Sequence, residues 1–299
     1  MDRLVAYATA QAHSSIEKGL RVAGIEVARL RTVAHDERFA MRPDDLEAKM
    51  AADRAEGYVP FFVCATAGST SSEAFDPVAP IAAVCGPHGA WLHVDGAMCG
   101  IAAICPEFRW VNDGLELADS YVTNAHKWMG VGFDCSLFWV RDRSPLLEAL
   151  TILPEYLRSA AAEEGSAIDY RDWQVPLGRR FRALKVWFVI RLDGVDAVRN
   201  MIRDHVRWAE AFESCAVADG RIEVVAPRVL NLVCLRLRSG DEATRRLVEA
   251  VNSSGRAQVT PTVLDGRAVL RFCIGSQLTG HHHVEAAWSL ISELADATG

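Results

Sequence analysis

One lysine stands in a sequence setting suited to covalent chemistry. The chain has 299 residues and only four lysines among its 32 basic residues, and Lys127 lies in the stretch Asn-Ala-His-Lys-Trp. This stretch directly follows the predicted apolar strand Ser120–Asn124, and ligands gather at strand ends in open α/β sheets. Partial burial would favour the neutral, nucleophilic amine. Lys127 is therefore predicted to be a Schiff-base amine, and a solvated surface lysine is the alternative.

An aspartate ends an earlier predicted strand. Asp95 closes the segment Trp-Leu-His-Val-Asp and is followed by the small residues Gly96 and Ala97. A buried carboxylate needs a cationic partner, because an isolated one is costly to desolvate. A pyridinium nitrogen is one such partner, and the protonated ring then accepts electrons from a carbanion. The small residues would let a flat ring approach the backbone.

A histidine provides the third element of this pattern. His13 lies in Gln-Ala-His-Ser-Ser, between a predicted strand and a predicted helix. A lone histidine at such a point is more often a helix cap or a surface residue. Beside the lysine and aspartate motifs, we interpret His13 as a residue that stacks on the pyridine ring.

Together these stretches resemble group II pyridoxal-phosphate (PLP) dependent amino-acid decarboxylases, and most closely the aromatic-L-amino-acid decarboxylases. The resemblance runs in family order through QAHSS, FAMRPDDL, PFFVCATAGSTSSEAFD, WLHVDGAM, ICPEFR, NAHKW, FDCSLFWV, DYRDWQVPLGRRFRALKVWFVIR and LRFCIGS. It implies that Lys127 holds PLP as a covalent imine and that Asp95 pairs with the pyridine nitrogen. Ala97 would lie beneath the ring, and His13 would stack on its other face, close to the substrate carboxylate.

The resemblance implies further contacts to the cofactor and the substrate. Thr70 would contact the cofactor, and Asn124 and His126 would help to hold its phosphate side. Tyr156 would protonate the carbanion carbon from a mobile loop. The long irregular stretch of residues 150–175 independently indicates a functional lid, since loops of this length in compact domains are usually functional or disordered.

Composition excludes several other classes of protein. The formal charge of −7, with 39 acidic residues, argues against nucleic acid or an anionic membrane as a partner. No apolar run is long enough to span a membrane. The eight cysteines lack a C-x-x-C spacing and fit reduced thiols in a cytoplasmic protein. His88 and His93 could suggest metal ligands, but they do not share one strand face, and no metal site is predicted.

The order of the predicted elements indicates an α/β fold. Apolar strands alternate with helices up to about residue 150, which is typical of a mostly parallel sheet covered on both faces. We expect an incomplete large domain of PLP fold type I over residues 1–150. Residues 151–194 would form the mobile catalytic loop and a connecting helix, and residues 195–299 a small α+β domain.

The resemblance implies an enzyme that converts an L-amino acid, preferably an aromatic one, to its amine and CO2. It also implies a homodimer in the full-length form. The N-terminal part of a usual family chain has no counterpart here, so we expect a fragment that alone decarboxylates poorly or not at all. One alternative is an aromatic aldehyde synthase, which couples decarboxylation to oxidative deamination. The other is a non-catalytic truncated remnant or subunit.

Overall fold

The computed structural model describes residues 2–152 and 169–298, and its larger part is built on a six-stranded sheet. The strands follow the spatial order β2-β1-β3-β4-β5-β6, and all neighbours are parallel except the pair β5–β6. Their bounds are β1 Leu4–Thr9, β2 Leu30–Val33, β3 Val59–Thr66, β4 Trp91–Asp95, β5 Ser120–Asn124 and β6 Ser136–Val140.

Five helices accompany this sheet in the described residues: α1 Ser15–Val22, α2 Pro43–Ala55, α3 Val78–His88, α4 Ser144–Leu150 and α5 Ala183–Leu192. Helix α2 begins at Pro43 because proline has the fixed backbone angle of a first helical turn and needs no N–H bond there. Its buried Leu46 and Met50 pack with Val63 of the sheet and Ile81 of α3 in one apolar cluster. Helix packing against continuous apolar strands thus forms the first core.

The second part of the chain forms a four-stranded antiparallel sheet in the order β7-β8-β10-β9. The strands are β7 Ile222–Val224, β8 Leu232–Leu237, β9 Thr260–Leu264 and β10 Arg267–Cys273, and two helices, α7 Asp241–Ser253 and α8 His281–Thr298, pack on them. Leu247, Val251 and Ile291 are fully buried in its core. The fold class predicted from the sequence is confirmed.

The long helix α6, Val195–Ala218, contributes to both cores. Val198 and Ile202 pack in a cluster with Trp128, beside the large sheet. Phe212, towards the other end of α6, packs in the core of the small sheet. The proposed domain division near residue 195 stays a prediction; α6 begins at this boundary, yet it packs in both cores.

Two predicted elements differ from the structure. The alternating residues Ile25–Thr32 predict a strand, but the structure has a single 3-10 turn, Val27–Arg29, followed by the short strand β2. Pairing with β1 starts only at Leu30, because residues 27–29 directly before it form this turn. The pattern of Leu177–Leu192 predicts a helix over the whole stretch, but the helix begins at Ala183, and Gly178 in the stretch before it disfavours helix.

None of the helices in the two described ranges combines the length and the apolar character that crossing a membrane requires.

Candidate active site

The carboxyl ends of β3, β4 and β5 meet at one edge of the large sheet. Thr66 pairs with Asp95 across β3 and β4, and Asn124 ends the next strand. A cavity of about 540 Å³ opens at this edge. Six of the predicted site residues line it: His13, Thr70, Asp95, Ala97, Asn124 and Lys127. The structure therefore brings together residues from four separate segments of the chain.

The Asp95 carboxylate is held at the inner wall of this cavity. The backbone N–H of Ala97 donates to its Oδ1 at 2.9 Å, and the N–H of Gly96 donates to the Val122 carbonyl at 2.9 Å. A Cβ at position 96 would lie 2.8 Å from a ring carbon of Tyr121, so only glycine fits this turn. In the part of the chain that the structure describes, Asp95 forms no ion pair. A cationic ring nitrogen in the cavity would supply one.

Lys127 projects from a tight turn after β5. Its backbone N–H donates to the Asn124 carbonyl at 2.9 Å, and the following Trp128 is fully buried. The Trp128 indole N–H donates to Nδ1 of His205 at 3.0 Å, and the two rings are almost parallel. These contacts fix the backbone on either side of Lys127. The side chain itself is exposed, so the partial burial assumed from the sequence is wrong for the described residues.

His13 and Thr70 lie at the outer rim of the cavity, and both are exposed. The Ser15 N–H donates to Nδ1 of His13 at 3.2 Å, which orients the imidazole. Thr70 belongs to the turn after β3, where Gly68 has a φ of 87°. A Cβ on Gly68 would lie 2.3 Å from Sγ of Cys99, so this turn can pack only with glycine there.

One predicted residue lies outside this cavity, and another is not among the described residues. His126 lines an adjoining cavity with Lys127 and Gln277. Its Nδ1 accepts a hydrogen bond from the Cys135 N–H at 3.0 Å, so the ring anchors the backbone before β6. Tyr156 lies outside the described residues, and its role as a proton donor stays a prediction.

The small sheet contributes cavity residues that the sequence analysis missed. Arg271 on β10, Asn231 before β8 and Cys273 at the end of β10 line the same cavity as Lys127. Nε of Arg271 and Oδ1 of Asn231 are buried without a hydrogen-bond partner among the described residues. Buried polar atoms in this state point to a missing partner. In the sequence, this segment is marked only by the stretch LRFCIGS, which belongs to the family resemblance. The resemblance implied no role for Arg271.

Two buried carboxyls, Glu73 and Asp76, follow Thr70 between β3 and α3. Asp76 accepts the N–H groups of Met41 and Thr66, yet burial raises the pKa of its carboxyl to about 6. Burial also raises the pKa of Glu73, although backbone N–H groups oppose the shift. The thiol of Cys99 beside it has a pKa well above its usual value, mainly because it is buried. The Cys99 thiol stays neutral, and backbone N–H groups hold both carboxyls in place. Among the described residues of this wall, Lys127 is therefore the available nucleophile.

The cavity fits PLP better than it fits a metal ion. No group of three histidine, cysteine, aspartate or glutamate side chains suited to a metal occurs in residues 2–152 and 169–298. Asp95, which forms no ion pair with any described residue, could pair with a pyridine nitrogen. The small Ala97 leaves room for a flat ring, and the amine of Lys127 could react with an aldehyde.

Comparisons with known proteins agree with this geometry. The profile of the pyridoxal-dependent decarboxylase conserved domain matches residues 1–238. The aromatic-L-amino-acid decarboxylase of Bos taurus is 45% identical to the chain, over 99% of the chain and 60% of that relative. The phenylacetaldehyde synthase of Arabidopsis thaliana is 43% identical, over 99% of the chain and 62% of that relative.

A solved structure shows the same fold. The crystal structure of Oryza sativa TDC with PLP and tryptamine has a TM-score of 0.95 at 43% identity and covers 99% of this chain and 63% of that one. The chain thus spans about three fifths of the length of the relatives that it matches. The matched profile, the identities and the shared fold show that the chain belongs to the pyridoxal-dependent decarboxylase family.

Proposed function

We propose that the protein takes part in PLP-dependent decarboxylation of an L-amino acid, preferably an aromatic one, to its amine and CO2. The observation that carries this proposal is the placement of Asp95 and Lys127 at the ends of neighbouring strands on one cavity wall. The similarity to the bovine aromatic-L-amino-acid decarboxylase supports the reaction and the substrate class.

The chain's own residues have separable roles in this reaction. The bound cofactor supplies a protonated ring that takes up the electron pair left when the carboxylate departs as CO2. Lys127 would hold the cofactor covalently through its amine, at the position that the substrate amine would take. The Asp95 carboxylate keeps the ring nitrogen protonated, because an adjacent anion favours the charged form of a base. His13, at the rim of the cavity, would cover the ring face.

Arg271 is the cation that the small sheet places at this cavity. Guanidinium groups bind carboxylates in a forked, charge-assisted geometry, and Nε of Arg271 has no partner in the described residues. Arg271 therefore orients the substrate carboxylate before it leaves. A proton must then reach the substrate Cα, and Tyr156 is the donor that we propose from the sequence.

The aldehyde-forming reaction is the second candidate, because the chain is also similar to a phenylacetaldehyde synthase. In that branch oxygen intercepts the carbanion before it is protonated. His13 and Tyr156 favour simple decarboxylation, since a present proton donor competes with oxygen. We further propose a cytoplasmic homodimer for the full-length form. The eight cysteines of the 299-residue chain are free thiols, which fits a reducing compartment.

The test is a visible absorbance band from PLP bound to a lysine. The purified 299-residue chain should develop this band on addition of PLP, and Lys127→Ala should lack it. Lys49→Ala is the matched control, because Lys49 pairs with Asp45 on α2, away from the cavity. Amine and CO2 are then measured with an aromatic amino acid, and hydrogen peroxide formed with the product would indicate the aldehyde branch. A wild-type chain without the band would contradict PLP binding and favour a non-catalytic subunit.

A further inference from the structure

Glu73 occupies an unusual position in the turn between β3 and α3. Its φ of 57° lies in the left-handed region that disfavours residues with a side chain. Its side chain is nevertheless 2% exposed and lines the cavity of Lys127 and Asp95. A strained backbone and a buried carboxylate at one residue require compensating contacts.

The compensating contacts come from the small-sheet part of the chain. Oε2 of Glu73 accepts the N–H of Leu230 at 2.6 Å and that of Val229 at 3.2 Å. Oε1 accepts the N–H of Asn231 at 3.0 Å. One side chain of the cofactor turn therefore binds three successive amides of the segment that leads into β8. We call this set of bonds the Glu73 clamp.

The Glu73 clamp extends to β10 through Asn231. The side-chain amide of Asn231 donates to the Ile274 carbonyl at 2.6 Å, and the Ile274 N–H donates to the Asn231 carbonyl at 3.0 Å. Ile274 follows directly on β10, the strand that carries Arg271. The path from Glu73 to Arg271 thus consists of hydrogen bonds and one short stretch of strand.

A second point of contact keeps the turn against the same sheet. The Cys234 thiol on β8 lies 3.2 Å from the Ser71 carbonyl, and the Ser71 hydroxyl lies 3.0 Å from that of Thr262 on β9. These contacts hold the turn against the small sheet but do not involve Asn231. Glu73 is therefore the residue of this turn that fixes the chain next to Asn231.

We propose that Glu73 is a positioning residue, which fixes the segment around Asn231 and, through it, sets Arg271 on the cavity wall so that the guanidinium receives the substrate carboxylate. This inference rests on the proposed function, because it assigns a part of the same site. It differs from a purely structural role in one respect. Loss of the Glu73 clamp should weaken the binding of a carboxylate far more than the binding of an amine.

The experiment compares two indole probes on the full chain loaded with PLP. Indole-3-propionate carries a carboxylate and no amine, tryptamine carries an amine and no carboxylate, and neither can be decarboxylated. In Glu73→Gly, which also relieves the backbone strain, indole-3-propionate should bind about tenfold more weakly, or ~1.4 kcal/mol. Tryptamine should bind within about twofold of wild type, a difference below ~0.5 kcal/mol. Calorimetry or indole fluorescence measures both affinities.

Hydrogen exchange tests the Glu73 clamp without the cofactor. The amides of residues 229–231 should exchange faster in Glu73→Gly than in wild type, and Glu73→Gln should lie between them because it keeps one acceptor oxygen. Asp265→Gly is the matched control: Asp265 also has a positive φ, 47°, but it pairs with His35 on the surface. It should change neither exchange at 229–231 nor the binding of indole-3-propionate.

Two results would overturn the inference. One is unchanged exchange at residues 229–231 in both Glu73 variants. The other is an equal loss of affinity for the two probes, which is the mark of a general collapse of the site. Failure of the proposed function would appear separately, as a wild-type chain that forms no PLP absorbance band.

Discussion

The buried pair of Trp128 and His205 predicts a specific loss of stability in acid. His205 is 1% exposed, and its Nδ1 accepts the indole N–H of the residue next to Lys127. Burial lowers the pKa of this imidazole from 6.5 to about 4. Protonation of His205 would bury a charge and place a second donor against the indole N–H. The perturbation to study is therefore His205→Gln, which keeps an acceptor and removes the titration.

The direction and the size of the effect follow from these two pKa values. In the unfolded chain His205 binds a proton below about 6.5, whereas in the folded chain it does so only below about 4. Between these values the unfolded state binds more protons, so the free energy of unfolding falls as the pH falls. At about 1.36 kcal/mol per pKa unit, the full loss is about 3 kcal/mol, complete near pH 4.

Another buried group acts in the opposite direction. The raised pKa of Asp76, about 6, means that the folded state binds this proton first. Its contribution to stability therefore increases as the pH falls from about 6 towards 3.8. The wild-type pH profile alone combines both effects, and only the difference between wild type and His205→Gln isolates the imidazole.

The assay is urea unfolding of both proteins at a series of pH values from neutral to about 4. The stability of wild type relative to His205→Gln should decrease with falling pH and level off above about 6.5. Equal pH slopes in the two proteins would refute the reasoning. So would an imidazole signal of His205 in NMR spectra that titrates near its ordinary value.

Two further substitutions address the cavity wall. Gly68→Ala should cost on the order of 2–4 kcal/mol, because the new Cβ would lie 2.3 Å from Sγ of Cys99 at a φ of 87°. Urea unfolding measures this cost, and a loss below about 1 kcal/mol would contradict it. Asp95→Asn should weaken PLP binding by at least about tenfold, or ~1.4 kcal/mol, because the ring nitrogen loses its anionic partner. Titration of the PLP absorbance band measures the affinity, and an unchanged affinity would argue against the role of Asp95.

Local patterns were enough to predict most elements of the large sheet. The strands Trp91–Asp95 and Ser120–Asn124 have the predicted bounds. Each is a short run of apolar and β-branched or aromatic residues between turns, so propensity and burial agree there. The positions of Asp95 and Lys127 at strand ends follow directly from these bounds, and the shared cavity follows from the parallel pairing of β4 and β5.

The contacts between the two sheets could not be predicted in this way. Glu73 meets Val229 and its neighbours across more than half the chain, and no local periodicity records such a pairing. Arg271 sits within an ordinary strand, and its place at the cavity depends on how the small sheet docks. The exposure of Lys127 likewise depends on tertiary packing, which no local sequence pattern records.

The sharing of α6 between the two cores has a thermodynamic consequence. Ile202 is fully buried in the apolar cluster that contains Trp128. Phe212, less than three helical turns further along, is 2% exposed in the core of the small sheet. Fraying of this helix would open both apolar clusters at once. The two sheets should therefore melt in one cooperative transition. A cut at residue 195 would separate Trp128 from its partner His205 and leave each half with an incomplete interior.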